Sequence, residues 1–447
     1  MPASALDYPT AKQSSLCQRL IPFSIVAIAI VFGYLIIYHF HHQREGKHHF
    51  GDFPTFYVAA EYARDHKDIY TAGSSPDQMY VYPPLIAVLY IPLTALSLAD
   101  AARFMLFPTA AMLLGSLILG AGEILSRFGN RTFALWCAVV AIASLLGENE
   151  MRGVMTMLET DSLMLLMFAL AFWWLDRRPV LAGLALGLAF NIKYLSIVAL
   201  PYLLLRRRWR AAAGTIIGCV AFALLPAIQL GWREDLRCLR VSMGGLLRWV
   251  GVAPESTGSI KVHDIGDGLS VSITSGLSRM MHPHGFSNAQ VMVAAAAVGA
   301  IAVVVVAIFY RVNRFRLWLW PRRETQAEQP FRGLIALEWV GVVTLAIAFS
   351  PDTNARHLVL AALVNLLGAS LVLLPRSDIS RTPVVIGLAL ILLAFIAPFA
   401  RQLRHMGFNH YVYSVPCWCL LVGYLMVLWV GLRVVRANAS HRGAAPA

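Results

Sequence analysis

A few charged side chains lie inside or beside long apolar stretches, and these are the residues most able to do chemistry. Asp52 precedes an amphipathic segment, where its carboxylate would act as a general base at the boundary of water and lipid. The alternative is that Asp52 is a helix N-cap, with Pro54 in the first turn. Both interpretations place Asp52 at the start of a helix.

Lys193 is the residue with the highest expected free-energy cost of burial in a membrane. It lies 14 residues after Pro179 and 13 before Arg206, in apolar surroundings. A charge at the centre of a bilayer costs at least ~3 kcal/mol and usually marks a functional interior. An ammonium in such a place would suit a phosphate group. The alternative is that the chain turns near the outer interface and Lys193 snorkels to water.

Two further pairs of polar residues flank apolar runs. Glu159 and Asp161 come directly before one run, either as site residues or as solvated loop charges. Arg356 and His357 lie between two runs, where they would bind a phosphate or move a proton. The alternative for this second pair is an ordinary polar turn.

The composition indicates which class of protein holds these residues. The chain has 447 residues, of which 58% are apolar and 14% charged, against about 25% charged in soluble domains. Apolar runs of about twenty residues recur along it, which excludes a soluble enzyme, a disordered protein, a coiled coil and a β-barrel. The net charge of +13 comes largely from basic clusters at the ends of these runs, so it predicts orientation in a membrane and no nucleic-acid partner.

Metal and disulfide frameworks are not indicated. The histidines between His39 and His49 lack a regular ligand spacing, and the six cysteines show neither a zinc pattern nor a disulfide framework.

The sequence therefore predicts an all-α polytopic membrane protein with about 11–13 transmembrane or re-entrant helices and both termini in the cytoplasm. The expected spans lie near residues 20–38, 83–98, 103–125, 132–146, 162–175, 179–205, 211–230, 289–309, 334–349, 358–374, 383–400 and 412–432. The expected organisation is a cytoplasmic segment over 1–19, one membrane domain over 20–432 with outer loops at 39–79 and 231–287, and a cytoplasmic tail over 433–447.

Two places conflict with simple alternation of the spans. Residues 179–205 carry arginine clusters at both ends, which predicts a re-entrant pair of helices turning near Lys193. If Arg127 and Arg131 are cytoplasmic, the two apolar runs between Pro83 and Arg131 make one net crossing, and the sequence leaves open how. The basic clusters place four polar segments on the outer face, namely residues 39–79, 148–161, 231–287 and 350–357.

Several motifs, taken in order, resemble glycosyltransferase family 87. They are Gly51-Asp52-Phe53 with Phe56-Tyr57 and Ala59-Ala60, Asp68-Ile69-Tyr70, Tyr82-Pro83-Pro84-Leu85, Pro92-Leu93, Ala182-Gly183 with Gly187, Lys193, Arg206-Arg207-Arg208-Trp209, and Ser350-Pro351 with His357. The resemblance implies the GT-C fold, with an amphipathic juxtamembrane helix in the first outer loop. It also implies a polyprenyl-phosphate-linked sugar donor, most often of mannose, and transfer on the outer face of a bacterial inner membrane.

The resemblance also implies roles for individual residues. Asp52 matches the loop carboxylate that serves as general base, and Lys193 and His357 match positions that face the site. Tyr57 and Tyr82 belong to the matching motifs and are expected to bind substrate. The chain departs from the family at Leu158-Glu159-Thr160-Asp161, where Gly-Gln-x-Asn is common, and at Ser270-Val271-Ser272, where Asn-Gln-Ser is common. These departures leave the donor and acceptor open.

The predicted reaction is an inverting transfer to a lipid or glycan acceptor, with Asp52 as base. Lys193, Arg356 and His357 would stabilise the polyprenyl phosphate. Glu159 and Asp161 would bind sugar hydroxyls. No cofactor and no obligate metal are expected. The alternatives are a transporter or flippase of a lipid-linked sugar, which a broken span would also suit, and a scaffold in envelope assembly.

Overall fold

The fold is taken from a computed structural model and is described for residues 11–44, 51–75, 78–249, 265–315, 332–351, 353–374, 378–395 and 412–441. Almost all of these residues are helical. The helices are α1 (Ala11–Arg44), α2 (Phe53–Arg64), α3 (Pro84–Leu89), α4 (Leu98–Arg127), α5 (Phe133–Leu146), α6 (Glu148–Met157), α7 (Asp161–Trp174), α8 (Pro179–Phe190), α9 (Ala199–Leu205), α10 (Trp209–Leu224), α11 (Ala227–Leu230), α12 (Trp232–Trp249), α13 (Ile273–Met281), α14 (Asn288–Val312), α15 (Arg332–Phe349), α16 (Ala362–Leu373), α17 (Thr382–Phe395) and α18 (Val415–His441).

Short elements complete the described part of the chain. They are a two-stranded antiparallel hairpin of β1 (Gly73–Ser75) and β2 (Gln78–Met79), and the 3-10 helices Ile69–Thr71, Ile91–Ala95, Tyr194–Val198, His282–His284 and Ala355–Ala361. Within the described ranges, seven helices are long and apolar enough to cross a membrane, and α5 with α6, bent by 65°, makes an eighth if the pair is one span. The prediction of an all-α polytopic membrane protein is confirmed.

The predicted run over residues 179–205 is broken where the sequence indicated. Helix α8 ends at Phe190, residues 191–193 form a turn, and a 3-10 helix followed by α9 continues the chain to Leu205. Twelve residues of α8 extend about 18 Å, which is too short to cross the hydrocarbon core. Lys193 therefore lies in the break between two partial spans.

The structure also resolves the conflict between Pro83 and Arg131. Helix α3 has six residues and extends about 9 Å, and a 3-10 helix containing Pro92 follows it. The only long helix of this stretch is α4, and Arg127 at its end forms an ion pair of 2.9 Å with Asp176, two residues after α7. The region makes one crossing because its first apolar run is a short, broken helix.

A network of buried ion pairs joins helix ends at this side of the protein. Asp176 contacts Arg127, Arg208 and Arg332, with N–O distances of 2.9, 2.6 and 3.8 Å. Glu123 on α4 pairs with Arg127 at 2.9 Å and with Arg177 at 2.7 Å. Residues from two of the predicted basic clusters, Asp176-Arg177-Arg178 and Arg206–Arg210, thus meet Arg127 and Arg332 at one end of the bundle.

The first outer segment forms the predicted amphipathic helix, α2, but its apolar face does not lie on lipid. Phe56, Ala59, Ala60 and Ala63 are completely buried inside the protein. The Phe56 ring packs against aromatic rings that follow the helix in sequence, including Tyr82 at a centroid distance of 4.9 Å. The periodic pattern predicts an amphipathic helix, but it cannot distinguish lipid from protein as the partner of the apolar face, and here that partner is protein.

The four polar segments expected on one face do contact one another. Arg237 of α12, in the second long segment, forms an ion pair of 2.6 Å with Asp68 of the first. That second segment is also more ordered than a loop, since it carries the amphipathic helix α12 and helix α13. Ser270, in the same segment, forms an isolated β-bridge with Asn354 of the 350–357 segment.

Helices α8 and α10 approach each other so closely that only glycine fits between them. A Cβ atom on Gly183 would lie 2.2 Å from the Ala211 carbonyl oxygen, and one on Gly187 would lie 2.5 Å from the backbone of Gly218. Each helix has two glycines spaced four residues apart, which is the pattern of closely packed membrane helices. This contact holds α8, and with it the turn that carries Lys193.

Replacing Gly187 by alanine should therefore separate the two helices. We expect Gly187→Ala to lower the free energy of unfolding by about 1–3 kcal/mol, because its methyl group overlaps backbone atoms that cannot move independently. The matched control is Gly33→Ala in α1, where a Cβ atom meets nothing within 4 Å. Thermal unfolding in detergent measures both variants, and equal unfolding temperatures would contradict the proposed role of Gly187.

Candidate active site

The backbone before α2 places Asp52 beside the end of α6. Gly51 has φ +56°, a conformation that favours glycine, and a Cβ atom there would lie 2.4 Å from Sδ and 2.5 Å from Cα of Met157. Asp52 occupies the N-cap position of α2, yet its side chain makes no capping hydrogen bond. The carboxylate points elsewhere, so the N-cap alternative does not account for it.

Arg356 joins the Asp52 carboxylate to a second carboxyl group. Its Nη1 atom lies 2.9 Å from Oδ2 of Asp52 and 2.8 Å from Oε1 of Glu159. The left-handed Leu158, at φ 49°, ends α6 and directs the chain into this contact. Residues that are 304 positions apart in sequence, Asp52 and Arg356, are thus direct partners.

Lys193 forms the second half of the site. Its Nζ atom donates to both carboxylate oxygens of Asp161, at 2.9 and 3.0 Å, and lies 2.7 Å from Nε2 of His357. The Lys193 side chain is 12% exposed and that of Asp161 is 1% exposed. Lys193 is therefore a paired, buried charge, and the snorkelling alternative does not describe it.

Secondary structure explains how these residues meet. Asp161 is the first residue of α7, Lys193 lies in the break after α8, and His357 belongs to the 3-10 helix Ala355–Ala361. The backbone N–H of Asn354 donates to Nδ1 of His357 at 3.2 Å, which directs the other ring nitrogen towards Lys193. The orienting role of Asn354 was not predicted, since it depends on a backbone hydrogen bond.

The two tyrosines expected to bind substrate lie in different surroundings. The ring of Tyr82 is 5.7 Å from the Lys193 ammonium, so it borders the charged cluster as a cation–π partner. The Tyr57 hydroxyl instead donates to the Leu96 carbonyl oxygen at 2.7 Å. The structure thus brings Tyr82 to the cluster and places Tyr57 in the scaffold of α2.

The two carboxyl groups beside Arg356 have opposite pKa shifts. Burial raises the pKa of Asp52, but the hydrogen bond with Glu159 and the charges of Arg356 and Lys193 outweigh it and hold the pKa below its ordinary value. Burial holds the pKa of Glu159 well above its ordinary value, and the nearby Asp161 and Asp52 add to this effect against Lys193 and Arg356. Two close carboxyls cannot both ionise easily, so the neutral form is favoured at Glu159 and the ionised form at Asp52.

Three of these residues have ligand atoms that a metal could use. Glu159, Asp161 and His357 each offer one such atom, all within 4.8 Å of one another. The ammonium of Lys193 already contacts two of the three, so a divalent ion there would be repelled by a fixed positive charge. His39, from the histidine-rich segment, instead contacts Thr156 and the Leu35 carbonyl oxygen, and His48 and His49 lie outside the described residues.

With this geometry established, the chain can be compared with known families. The family model of glycosyltransferase family 87 matches residues 80–322, which is more than half of the chain. The chain belongs to glycosyltransferase family 87. No curated protein sequence matches it. The resemblance seen in the motifs is confirmed, and the protein is a multi-pass membrane glycosyltransferase, which uses a sugar donor and an acceptor.

Membership of glycosyltransferase family 87 favours the enzyme over the transporter and scaffold alternatives. The matched stretch contains Glu159, Asp161 and Lys193, whereas Asp52 and Arg356 lie outside it. The tertiary structure brings both groups into contact across the boundary of the match. A site built from both groups thus extends beyond the region that defines the family.

The raised pKa of Glu159 leads to a testable prediction. Glu159→Gln retains a neutral hydrogen-bond donor beside Asp52, so we expect it to keep glycosyltransferase activity within about threefold of wild type, whereas Glu159→Ala should lose much more. The raised pKa means that the bound proton stabilises the wild type fully at pH below ~4.3 and progressively less as the pH rises. Glutamine does not titrate, so the unfolding temperature of Glu159→Gln should decline less than that of wild type from about pH 5 to about pH 9. Parallel curves for the two proteins would show that Glu159 is ionised.

Proposed function

We propose that this glycosyltransferase moves a sugar, mannose in the first instance, from a polyprenyl-phosphate donor to a hydroxyl of a lipid or glycan acceptor. The observation that carries the proposal is the joint site of a carboxylate, Asp52, and two partly buried cations, Arg356 and Lys193. A donor with its own phosphate leaving group needs a base for the acceptor and positive charge for the phosphate. This cluster supplies both within one network of contacts.

The proposed reaction is a single displacement. The acceptor hydroxyl gives its proton to Asp52 while its oxygen attacks the anomeric carbon on the face opposite the phosphate. A new carbon–oxygen bond forms as the bond from the anomeric carbon to the phosphate oxygen breaks, and the electron pair leaves on the polyprenyl phosphate. The configuration of the sugar is inverted. Arg356 and Lys193 stabilise the departing phosphate, with His357 beside them.

The position of Arg356 links donor binding to the strength of the base. In the structure its guanidinium contacts Asp52 and Glu159, and this contact lowers the pKa of Asp52. A donor phosphate competes for the same guanidinium, so its binding weakens the pair with Asp52. The carboxylate then becomes a stronger base when the donor is present. Proton removal is thereby coupled to occupation of the donor site.

The other site residues have supporting roles in this proposal. Asp161 holds the ammonium of Lys193 in place, and Glu159 with Asp161 offers oxygens for sugar hydroxyls. Tyr82 provides an aromatic wall beside Lys193. The polyprenyl chain enters laterally between spans. The site faces the outer side of a bacterial inner membrane, because the basic clusters gather at the other end of the bundle.

The base assignment is tested by Asp52→Asn. We expect sugar transfer to fall by at least about 100-fold while the protein remains folded in the membrane, because asparagine cannot accept the proton. The matched control is Asp65→Asn at the other end of α2, an exposed carboxylate that pairs with Arg64 and Lys67. Transfer at the wild-type rate by purified Asp52→Asn would refute the assignment.

Reconstitution in liposomes with radiolabelled polyprenyl-phospho-mannose and membrane lipids provides the assay. A labelled glycolipid that appears with wild type, and not with Asp52→Asn, supports the proposed transfer. Labelled donor that crosses the bilayer unchanged would instead indicate a flippase. Repeating the assay with other polyprenyl-phospho-sugars identifies the sugar that the site accepts.

Lys193 also suggests that the reaction needs no divalent metal. Its ammonium is the cation nearest to Asp161 and His357, so positive charge for the phosphate is built into the chain. We expect transfer to continue at an unchanged rate in excess EDTA. Loss of transfer in EDTA, with recovery on adding Mg²⁺ or Mn²⁺, would assign an ion to Glu159, Asp161 and His357 instead.

A further inference from the structure

A group of buried hydroxyls joins the second long polar segment to the segment that carries Arg356 and His357. The backbone N–H of Thr353 donates to Oγ of Ser270 at 3.1 Å, and the N–H of Val271 donates to the Thr353 carbonyl oxygen at 2.6 Å. Ser270 and Thr353 are both 1% exposed. The two strands of chain are therefore held in one register by hydrogen bonds that water does not reach.

Helix α13 adds further bonds to the same contact. Oγ of Ser275 lies 2.7 Å from Oγ of Ser270 and 2.9 Å from the Pro351 carbonyl oxygen. The Thr274 hydroxyl donates to the Phe349 carbonyl oxygen at 2.8 Å, where α15 ends. The start of α13 is thus fixed to the end of α15 and to Pro351.

The cluster of buried hydroxyls adjoins the backbone that orients His357. Asn354 directly follows Thr353 and forms a β-bridge with Ser270. Its backbone N–H is the donor to Nδ1 of His357. The Thr353 N–H that donates to Ser270 is therefore one residue before the Asn354 N–H that orients the imidazole. Nε2 of that imidazole lies 2.7 Å from Nζ of Lys193.

We propose that Ser270, supported by Ser275, is a positioning residue that holds the backbone at Thr353 and Asn354 so that His357 and Arg356 face the donor phosphate. The proposal rests on the proposed function of the site, since it assigns Ser270 a part in the same transfer. We call this contact between Ser270, Ser275 and Thr353 the hydroxyl clamp. Ser272 takes part by capping α13, where it accepts from the Ser275 backbone N–H at 3.0 Å.

The geometry predicts more than a loss of stability on removing the hydroxyl. In Ser270→Ala the N–H of Thr353 loses its acceptor in a buried place, so the backbone shifts to find another. A displacement of this kind at Asn354 turns the imidazole of His357 and moves Arg356, but it leaves the binding site of the sugar acceptor unchanged. Small errors of position at a reacting centre lower kcat strongly, whereas acceptor binding elsewhere is unchanged.

The test compares Ser270→Ala with Ser278→Ala in liposomes that contain polyprenyl-phospho-mannose and membrane lipids. Ser278 is a completely buried serine of the same helix α13, and its hydroxyl contacts His282 at 3.1 Å, away from the 350–357 segment. We expect Ser270→Ala to lower kcat by about 10- to 100-fold at an unchanged acceptor KM, and Ser278→Ala to retain the wild-type kcat. If Ser270→Ala does not fold, Ser275→Ala replaces it, because Ser275 supports the same bond.

Hydrogen exchange provides a second readout that does not require activity. The backbone amides of Thr353, Asn354 and His357 should exchange faster in Ser270→Ala than in wild type, and at the wild-type rate in Ser278→Ala. Unchanged exchange and kcat in Ser270→Ala would overturn the clamp, and so would equal losses of kcat in both variants. If wild type transfers no sugar from any polyprenyl-phosphate donor, the proposed function fails, while the exchange rates still test the clamp.

Discussion

A charge placed in apolar surroundings must have a partner, and this requirement organises the protein. Arg356 meets it by contacting both Asp52 and Glu159, and Lys193 meets it by contacting Asp161. Each pair joins parts of the chain that are far apart in sequence. The cost of an unpaired buried charge is several kcal/mol, so the helices that carry these groups cannot drift apart independently. The site and the fold are stabilised by the same contacts.

The same rule acts at the other end of the bundle with a different result. There Asp176 and Glu123 are surrounded by arginines from four helix ends. Basic residues outnumber acidic ones in that network, which suits an anchor at a membrane interface. Near Asp52 the carboxyl groups outnumber the cations, and the raised pKa of Glu159 favours its neutral form, which reduces the excess of negative charge. The network at Asp176 and Glu123 is suited to orienting the protein in the membrane, and the cluster near Asp52 is suited to chemistry.

Close backbone contacts around the candidate site fix the positions of its side chains. The glycines of α8 and α10 hold the turn at Lys193, Gly51 holds Asp52 against α6, and the Ser270 contact holds the segment of His357. Each device acts on the backbone, within a few residues of the side chain that it positions. The proposed displacement needs such control, because small errors in the position of reacting groups lower the rate steeply.

The class of the protein and several candidate site residues could be predicted from the sequence alone. Long apolar runs predicted its class, the basic clusters predicted which helix ends share one face of the membrane, and the isolated charges predicted Asp52, Lys193 and Arg356 as candidate site residues. These features are local, because hydropathy and the cost of burying a charge depend on the residue and its neighbours in sequence. Only the tertiary structure decided that α2 packs on protein, that Lys193 pairs with Asp161, and that Tyr57 contacts Leu96. Those outcomes depend on which distant surface or charge each group meets, and the chain must fold before that partner exists.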